Sequence, residues 1–432
     1  MTAPPIHPLR FPRDPQPRLP IRRRIKALAR NWVPLVPTEL FSQPMVTRSY
    51  GFRSVHFVAD PDLVKTILRD TETYERPKGL KEIFEPLTDD SVLFANQEHR
   101  EQLNALTANA FGMKHVRDAC PRMEAETDAM TCALAEGAGR QQRLSGELSQ
   151  VVQRAMTEFL FSDAHALNPT VVDEAIATFA EVTSARDILR FSSLLPKRWR
   201  INQRPPIQRF KSVVDGLIDA RRAEPREGDA LARLLSLGDL FDDQQIRGAV
   251  LTSYYAGRKT TALAIAWSLY LLAVDQDAQR RVREEALEGR TDFARHVVDE
   301  ALRLYPPLGI MPRRAARKTK LGTTQIGRGD AVLIPVYVVH RHADLWERPD
   351  DFWPERFALK GSKPAYRYIA FGGGERYCPG AAFATQLATI AVARLVREFE
   401  FSLPDGWTPK LIFMLTIRIQ GGVKLDMRRH VP

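Results

Sequence analysis

The sequence predicts a mainly α-helical protein with small β-sheets at one edge, an α+β architecture, and three observations carry this prediction. Apolar residues recur at three- and four-residue spacing through most of residues 100–305, which is the periodicity of amphipathic helices. A further helix is predicted over residues 380–399, after a glycine-rich loop. Short apolar runs, SVHFVA at 54–59 and AVLIPVYVV at 331–339, predict strands, and LIFMLTIRI near the C-terminus predicts a strand pair.

Composition limits the classes of protein that this chain can be. Its 432 residues are 44% hydrophobic, enough for a large core, and no uninterrupted apolar run reaches the roughly 18 residues of a membrane span. Three cysteines (Cys120, Cys132 and Cys378) are too few, and odd in number, for a disulfide framework. We therefore expect a monomer in a reducing cytoplasm, without a membrane span.

The N-terminal segment differs from the rest of the chain. Residues 1–30 are rich in proline and arginine and predict an extended arm, while residues 31–432 predict a single domain. The chain carries a net charge of +11, with its densest basic cluster between Arg22 and Lys26. No nucleic-acid-binding module accompanies that cluster, so we expect a solvated basic surface that can dock an acidic protein, and no nucleic acid as a partner.

A long helix is predicted to begin at Asp242 or Asp243, both acceptable capping residues, and to end near Val274. At about 1.5 Å per residue it spans roughly 45–50 Å, enough to cross a domain. Its centre reads YAGRKTTA, with Arg258 and Lys259 between apolar stretches. Because buried cations are costly unless they are paired, a helix with a purely structural role does not explain this pattern.

Residues 371–380, FGGGERYCPG, place Cys378 between a glycine loop and a predicted helix start. Backbone N–H groups, the helix dipole and the nearby Arg376 favour a thiolate, which is the state that a metal ligand needs. A zinc site would need further Cys or His ligands at the right spacing, and His340 and His342 are distant in sequence. A nucleophilic cysteine would need a positioned histidine, and the phosphate-loop pattern is absent.

Three motifs in order carry a resemblance to a known family. FGGGERYCPG resembles the haem-binding signature of the cytochrome P450 (haem-thiolate monooxygenase) superfamily, of the soluble bacterial type. EALR, from Glu300 to Arg303, resembles the family's Glu-x-x-Arg helix. FWPERF, at 352–357, resembles the segment that adds Arg356 to that pair, and this charge cluster would hold the cysteine loop rigid.

The resemblance implies haem b held between the long central helix and the cysteine loop, with Cys378 as the ligand of the iron. It assigns cofactor binding to His99, Arg100, Arg313, Phe371, Gly372, Arg376, Cys378 and Gly380. Arg314 could replace Arg313 at the haem propionates, and either His99 or Arg100 could contact them.

On the other face of the haem, the family pattern places Ala256, Gly257, Lys259 and Thr260. Small Ala256 and Gly257 would leave room for oxygen and substrate, and Thr260 would deliver protons. Lys259 departs from the family, which has an acid at this position. It could extend into a solvent channel, pair with a neighbouring carboxylate or bind an acidic group of the substrate. As a further alternative, protons could come by another route.

The family's pocket segments map here to Tyr255, Leu308, Ile310, Phe413 and Met414, each of which could also be a core residue. The resemblance implies a reaction that inserts one oxygen atom from O2 into a lipophilic small molecule. The expected substrate is a terpenoid, a fatty compound or another natural-product-like molecule, which could carry a carboxylate. The electrons would come from a separate ferredoxin and its reductase. Two alternatives stay open: an atypical oxidation prompted by Lys259, and a haem protein that binds or senses a ligand without turnover.

Overall fold

The structure is a computed structural model that describes most of the chain. The described residues are 9–12, 31–50, 53–77, 84–89, 107–108, 110–136, 141–142, 144–182, 204–237, 240–359, 361–414 and 416–430.

The helices confirm a mainly α-helical fold. Their bounds are α1 Pro61–Arg69, α2 Met113–Asp118, α3 Cys120–Ala135, α4 Ser145–Phe161, α5 Pro169–Val182, α6 Pro205–Ala223, α7 Ala230–Leu235, α8 Asp243–Val274, α9 Gln276–Leu287, α10 Asp292–Leu304, α11 Val336–Val339 and α12 Ala381–Glu398.

Helix α8 is the long central helix that the sequence predicts. It is capped by Asp242, whose carboxylate accepts a hydrogen bond from the Gln245 backbone, while the Gln245 side chain accepts one from the Asp242 backbone. Helices α4, α6, α10 and α12 pack around it. More than half of its residues are buried, including Trp267, although its first turn is exposed.

The strands form small sheets at the edge of the helical body. They are β1 Met45–Tyr50, β2 Arg53–Val58, β3 Tyr74–Glu75, β4 Gln141–Gln142, β5 Met311–Ala315, β6 Thr319–Leu321, β7 Thr324–Ile326, β8 Ala331–Ile334, β9 Phe399–Ser402, β10 Leu411–Phe413, β11 Ile417–Ile419 and β12 Leu425–Arg429. The largest sheet has the order β1-β2-β8-β5-β3, in which only β2 and β8 pair in parallel. Smaller sheets are β4-β12-β9, β6-β7 and the β10-β11 hairpin.

One strand prediction is corrected. The run at 331–339 is a strand only as far as Ile334, and Val336–Val339 form the short helix α11. Pro335 separates the two because proline has no N–H to donate to a sheet ladder and fits well just before a helix.

The predicted N-terminal arm lies largely outside the described residues. Residues 9–12 have no regular secondary structure, and Phe11 is buried and stacks on Tyr337 with ring centroids 4.2 Å apart. The carbonyl of Leu9 accepts a hydrogen bond from the Tyr305 hydroxyl at 2.7 Å. This part of the arm therefore packs into the domain core, and the boundary at residue 30 stays a prediction.

Candidate functional site

The cysteine loop begins in a tight turn and ends at the N-terminus of α12. The Cys378 backbone N–H donates to the Phe371 carbonyl at 2.9 Å, which closes the loop. Gly374 has a positive φ of 64°, and a Cβ there would lie 2.9 Å from the Leu68 carbonyl oxygen of α1. Only glycine fits both the backbone conformation and this close approach, so the loop rests directly on α1.

The thiol of Cys378 is surrounded by protein, and burial raises its pKa, with a hydrogen bond from the Gly380 backbone acting in the opposite direction. The helix dipole and Arg376 therefore do not by themselves give a low thiol pKa, contrary to the argument from sequence. A thiolate here needs a cationic partner, and among the described residues no cluster of three or more His, Cys, Asp or Glu side chains could hold a metal ion. A single sulfur donor fits haem iron, which brings its other ligands with it, and does not fit a zinc site.

The two arginines proposed for the propionates differ in their surroundings. Arg314 forms an ion pair with Glu75 at 2.6 Å, between β5 and β3. Arg313, the next residue on β5, is 5% exposed and faces the other side of the sheet. This alternation favours Arg313 over Arg314 as the residue that contacts the propionates, but that assignment stays a prediction. The cofactor-binding assignments of Phe371, Gly372, Arg376 and Gly380 also stay predictions. His99 and Arg100 lie outside the described residues.

The charge cluster beneath the loop has the geometry that the three motifs imply. Arg303 donates to both carboxylate oxygens of Glu300, at 2.7 and 2.8 Å, and Arg356 donates to one of them at 3.2 Å. The Trp353 backbone N–H donates to the same carboxylate at 3.0 Å. Glu300 and Arg303 are fully buried, and buried charges are tolerated when they are satisfied on all sides in this way.

Arg303 also connects this cluster to the segment that follows α11. Its remaining three N–H groups donate to the backbone carbonyls of His340, Pro349 and Asp351 at 2.7 to 3.0 Å. His340 in turn accepts a hydrogen bond on Nε2 from the Ile369 backbone at 2.8 Å, so its Nδ1 carries the proton that it donates to the Arg303 carbonyl. Burial lowers the pKa of His340 to about 3 and keeps it neutral.

The centre of α8 separates its two cations onto different faces. Arg258 is buried, and its guanidinium forms an ion pair with Asp173 of α5 at 2.5 Å and donates to the Ser149 carbonyl of α4 at 3.3 Å. Lys259 lies on the same face as Ala256, and both are exposed although they are in the middle of a buried helix. Arg258 therefore links α8 to α4 and α5, whereas the Lys259 side chain is exposed.

Two further positions on α8 have well-defined surroundings. The Thr260 hydroxyl is half-buried and donates to the Ala256 carbonyl at 2.6 Å. A Cβ at Gly257 would lie 2.6 Å from Cε of Met156, so this glycine faces α4. The expectation that Gly257 leaves room for oxygen or substrate is therefore corrected: the small residue lets α4 and α8 approach each other.

The expected pocket residues divide into two groups. Leu308 is 41% exposed and Met414 is half-buried, so both can contact a ligand. Phe413 is completely buried against Tyr337, and Ile310 is 6% exposed, which fits the alternative that both are core residues. Tyr255 is half-buried, and its hydroxyl has no hydrogen-bond partner among the described residues.

Burial lowers the pKa of Lys259, and the positive charge of Arg418, the central residue of β11, lowers it further. Sequence reasoning missed Arg418. No spacing in the sequence signals this, because the two residues lie in separate elements that only the fold brings together. None of the described helices is long and apolar enough to cross a membrane.

Comparison with known proteins gives a consistent result. Residues 14–425 match the family model described as Cytochrome P450. A "Putative cytochrome P450 137" of Mycobacterium tuberculosis is 36% identical over 208 residues, which cover 46% of this chain and only 43% of that relative. "Cyclooctatin synthase" of Streptomyces melanosporofaciens is 29% identical over 376 residues, 81% of either chain. The crystal structure of a cytochrome P450DA heme domain shares the fold, with a TM-score of 0.77 over 90% of each chain at 21% identity.

Proposed function

The chain belongs to the cytochrome P450 family, and from that premise we propose that it is a haem-thiolate monooxygenase acting on a lipophilic small molecule. The proposed reaction inserts one atom of O2 into a C–H bond of the substrate and reduces the other atom to water, with two electrons from a separate protein. Haem b supplies the oxygen chemistry when bound, and the chain supplies the sulfur ligand, the proton path and the pocket.

The observation that carries this proposal is the position of Cys378. Its sulfur lies at the start of α12, in a loop that packs on α1. Just before this loop, the Ile369 backbone donates a hydrogen bond to His340, and the His340 carbonyl accepts one from Arg303, the ion-pair partner of Glu300. A ligand loop braced in this way keeps the sulfur in one place through a catalytic cycle. Phe371, Gly372, Arg376 and Gly380 would surround the cofactor, with Arg313 and the earlier His99 or Arg100 at its propionates.

On the opposite side, Ala256 and Thr260 would face the reacting atoms. The Thr260 hydroxyl donates to the Ala256 carbonyl, which leaves its oxygen able to accept a hydrogen bond from water. Rotation of the hydroxyl away from that carbonyl would let it donate a hydrogen bond towards the reacting atoms. Leu308 and Met414 would contact the apolar body of the substrate. The cyclooctatin synthase relative supports a natural-product-like substrate, such as a terpenoid.

An atypical oxidation (desaturation, rearrangement, coupling or a peroxide-driven reaction) is the second candidate function. It is favoured by Lys259, because an ammonium group cannot accept a proton at the position where the family pattern has an acid. Product identity separates the two candidates: a hydroxylated product carries one oxygen atom from O2, whereas desaturation yields a product without it.

We propose an acidic ferredoxin and its reductase as the electron source, in the cytoplasm, since the net charge of +11 favours a negatively charged partner. The test is reconstitution with a surrogate ferredoxin, its reductase, NADPH and 18O2, using a library of terpenoids and fatty acids. We expect substrate-dependent NADPH consumption and a product that contains one 18O atom. NADPH consumption that no compound stimulates, with no oxidised product, would favour a ligand-binding protein without turnover.

A further inference from the structure

Two cations from distant parts of the chain lie near each other beside α8. Lys259 is exposed at the centre of the helix, and Arg418 is exposed at the centre of β11. Arg418 is close enough for its charge to lower the pKa of Lys259, after the larger effect of burial. The ammonium group is therefore accessible, although the surrounding protein partly desolvates it.

The hairpin that carries Arg418 is fixed against α8. The indole N–H of Trp267 donates to the Ile417 carbonyl at 3.3 Å, and the Ile417 N–H donates to the Pro307 carbonyl at 3.1 Å. Ile417 and Ile419 are buried on one face of β11, so Arg418 points from the other face. The position of its guanidinium thus follows from the packing of its neighbours.

This pair of cations differs from the two arginines of α8. Arg258 pairs with Asp173, and Arg247 pairs with both Asp89 and Asp215. In the part of the chain that the structure describes, neither Lys259 nor Arg418 has an ion pair with a carboxylate. Two like charges held near each other repel, and an anion between them would relieve that repulsion.

We propose that Lys259 and Arg418 together bind a carboxylate of the substrate, which makes a lipophilic carboxylic acid the preferred substrate class. A guanidinium binds a carboxylate through two parallel N–H groups, and an ammonium adds a point charge, so the two side chains can bind one carboxylate jointly. Leu308 and Met414, accessible in neighbouring segments, are suited to the apolar remainder. This inference rests on the proposed function, because it names the substrate of that same site.

The test compares acids with matched neutral alcohols by calorimetric titration of the haem-loaded protein. The probes are 1-adamantanecarboxylate with 1-adamantanemethanol, and dodecanoate with dodecan-1-ol. The variants are Lys259→Met, Arg418→Met and the double variant. Lys410→Met is the matched control, because it removes one exposed positive charge from the base of the same hairpin.

We expect at least one acid to bind the unmodified protein about tenfold or more tightly than its alcohol. Each single variant should lose about ten- to a hundredfold in acid affinity, the effect of one charge-assisted hydrogen bond, while affinity for the alcohols and the behaviour of Lys410→Met stay within about twofold. Equal binding of acid and alcohol by the unmodified protein, or equal losses in Lys410→Met, would overturn the proposal.

A second measurement separates this proposal from the proposed function. Without ligand, Lys259→Met and Arg418→Met should unfold at the same temperature as the unmodified protein or higher, because each removes one of two repelling charges. Dodecanoate should then raise the unfolding temperature of the unmodified protein more than that of either variant. A preparation that retains no haem counts against the proposed function, whereas normal haem content with no preference for acids counts against the carboxylate site alone.

Discussion

Neighbouring residues in this chain have unrelated roles, as Arg258 and Lys259 show. In sequence they form one polar interruption of α8, yet Arg258 pairs with Asp173 and Lys259 lies on the open face with Ala256. A helix rotates by about 100° per residue, so adjacent side chains contact different elements. The polar interruption therefore combines a helix–helix ion pair with one side of the proposed carboxylate site.

At this scale we predict that Glu300→Ala strongly destabilises the protein. The change leaves Arg303 and Arg356 buried without their carboxylate, a loss of roughly 3–5 kcal/mol. We expect the variant to give a low soluble yield, to retain haem poorly and to have a lower denaturation midpoint.

The matched control for this prediction is Glu355→Gln. Glu355 pairs with Arg281 at 3.2 Å in a half-exposed position, and such a pair contributes about 0–1 kcal/mol. If Glu300→Ala were as stable and as rich in haem as Glu355→Gln, the buried cluster would not have the structural role assigned to it.

At the scale of elements, the sequence predicted those helices that carry strong local signals. The Asp242 cap and regular apolar spacing define α8, and a glycine loop precedes α12. The segment after Pro335 was misassigned because VYVV favours a strand locally, while burial of all four residues and the preceding proline favour a helical turn. Short elements depend on tertiary packing, which the sequence does not display.

The burial of His340 predicts a measurable pH dependence of stability. In the folded protein its pKa is about 3, whereas an unfolded histidine has its ordinary value of 6.5. Below pH 6.5 the unfolded chain takes up a proton that the folded chain does not, so stability is complete above pH 6.5 and decreases as the pH falls towards 3. The slope from this one group is at most about 1.4 kcal/mol per pH unit.

The measurement is the free energy of unfolding, from denaturant titrations between pH 7.5 and 4.5, for the unmodified protein and for His340→Gln. Glutamine keeps a donor and an acceptor but does not titrate, so its profile should be flatter in this window. Parallel profiles for the two proteins would show that His340 is not held neutral in the folded state.

At the scale of the whole molecule, the candidate site draws on segments spread along most of the chain. Family motifs in the sequence were sufficient to predict that Glu300, Arg303 and Arg356 form one cluster, because each motif is local and the structure only had to bring them together. The role of Cys378 as an iron ligand stays a prediction. The role of Arg418 could not be predicted, since its proximity to α8 depends on how the β10-β11 hairpin packs against Trp267.

The central claim, that this fold positions Cys378 as the sulfur ligand of haem iron, is tested most directly by the absorption spectrum of the reduced carbon monoxide complex. Cys132→Ser is the control, because Cys132 is an exposed, free cysteine. We predict that the unmodified protein and Cys132→Ser give the red-shifted Soret band of thiolate-ligated haem, and that Cys378→Ser does not. Survival of that band in Cys378→Ser, or its absence from the haem-loaded unmodified protein, would contradict the account.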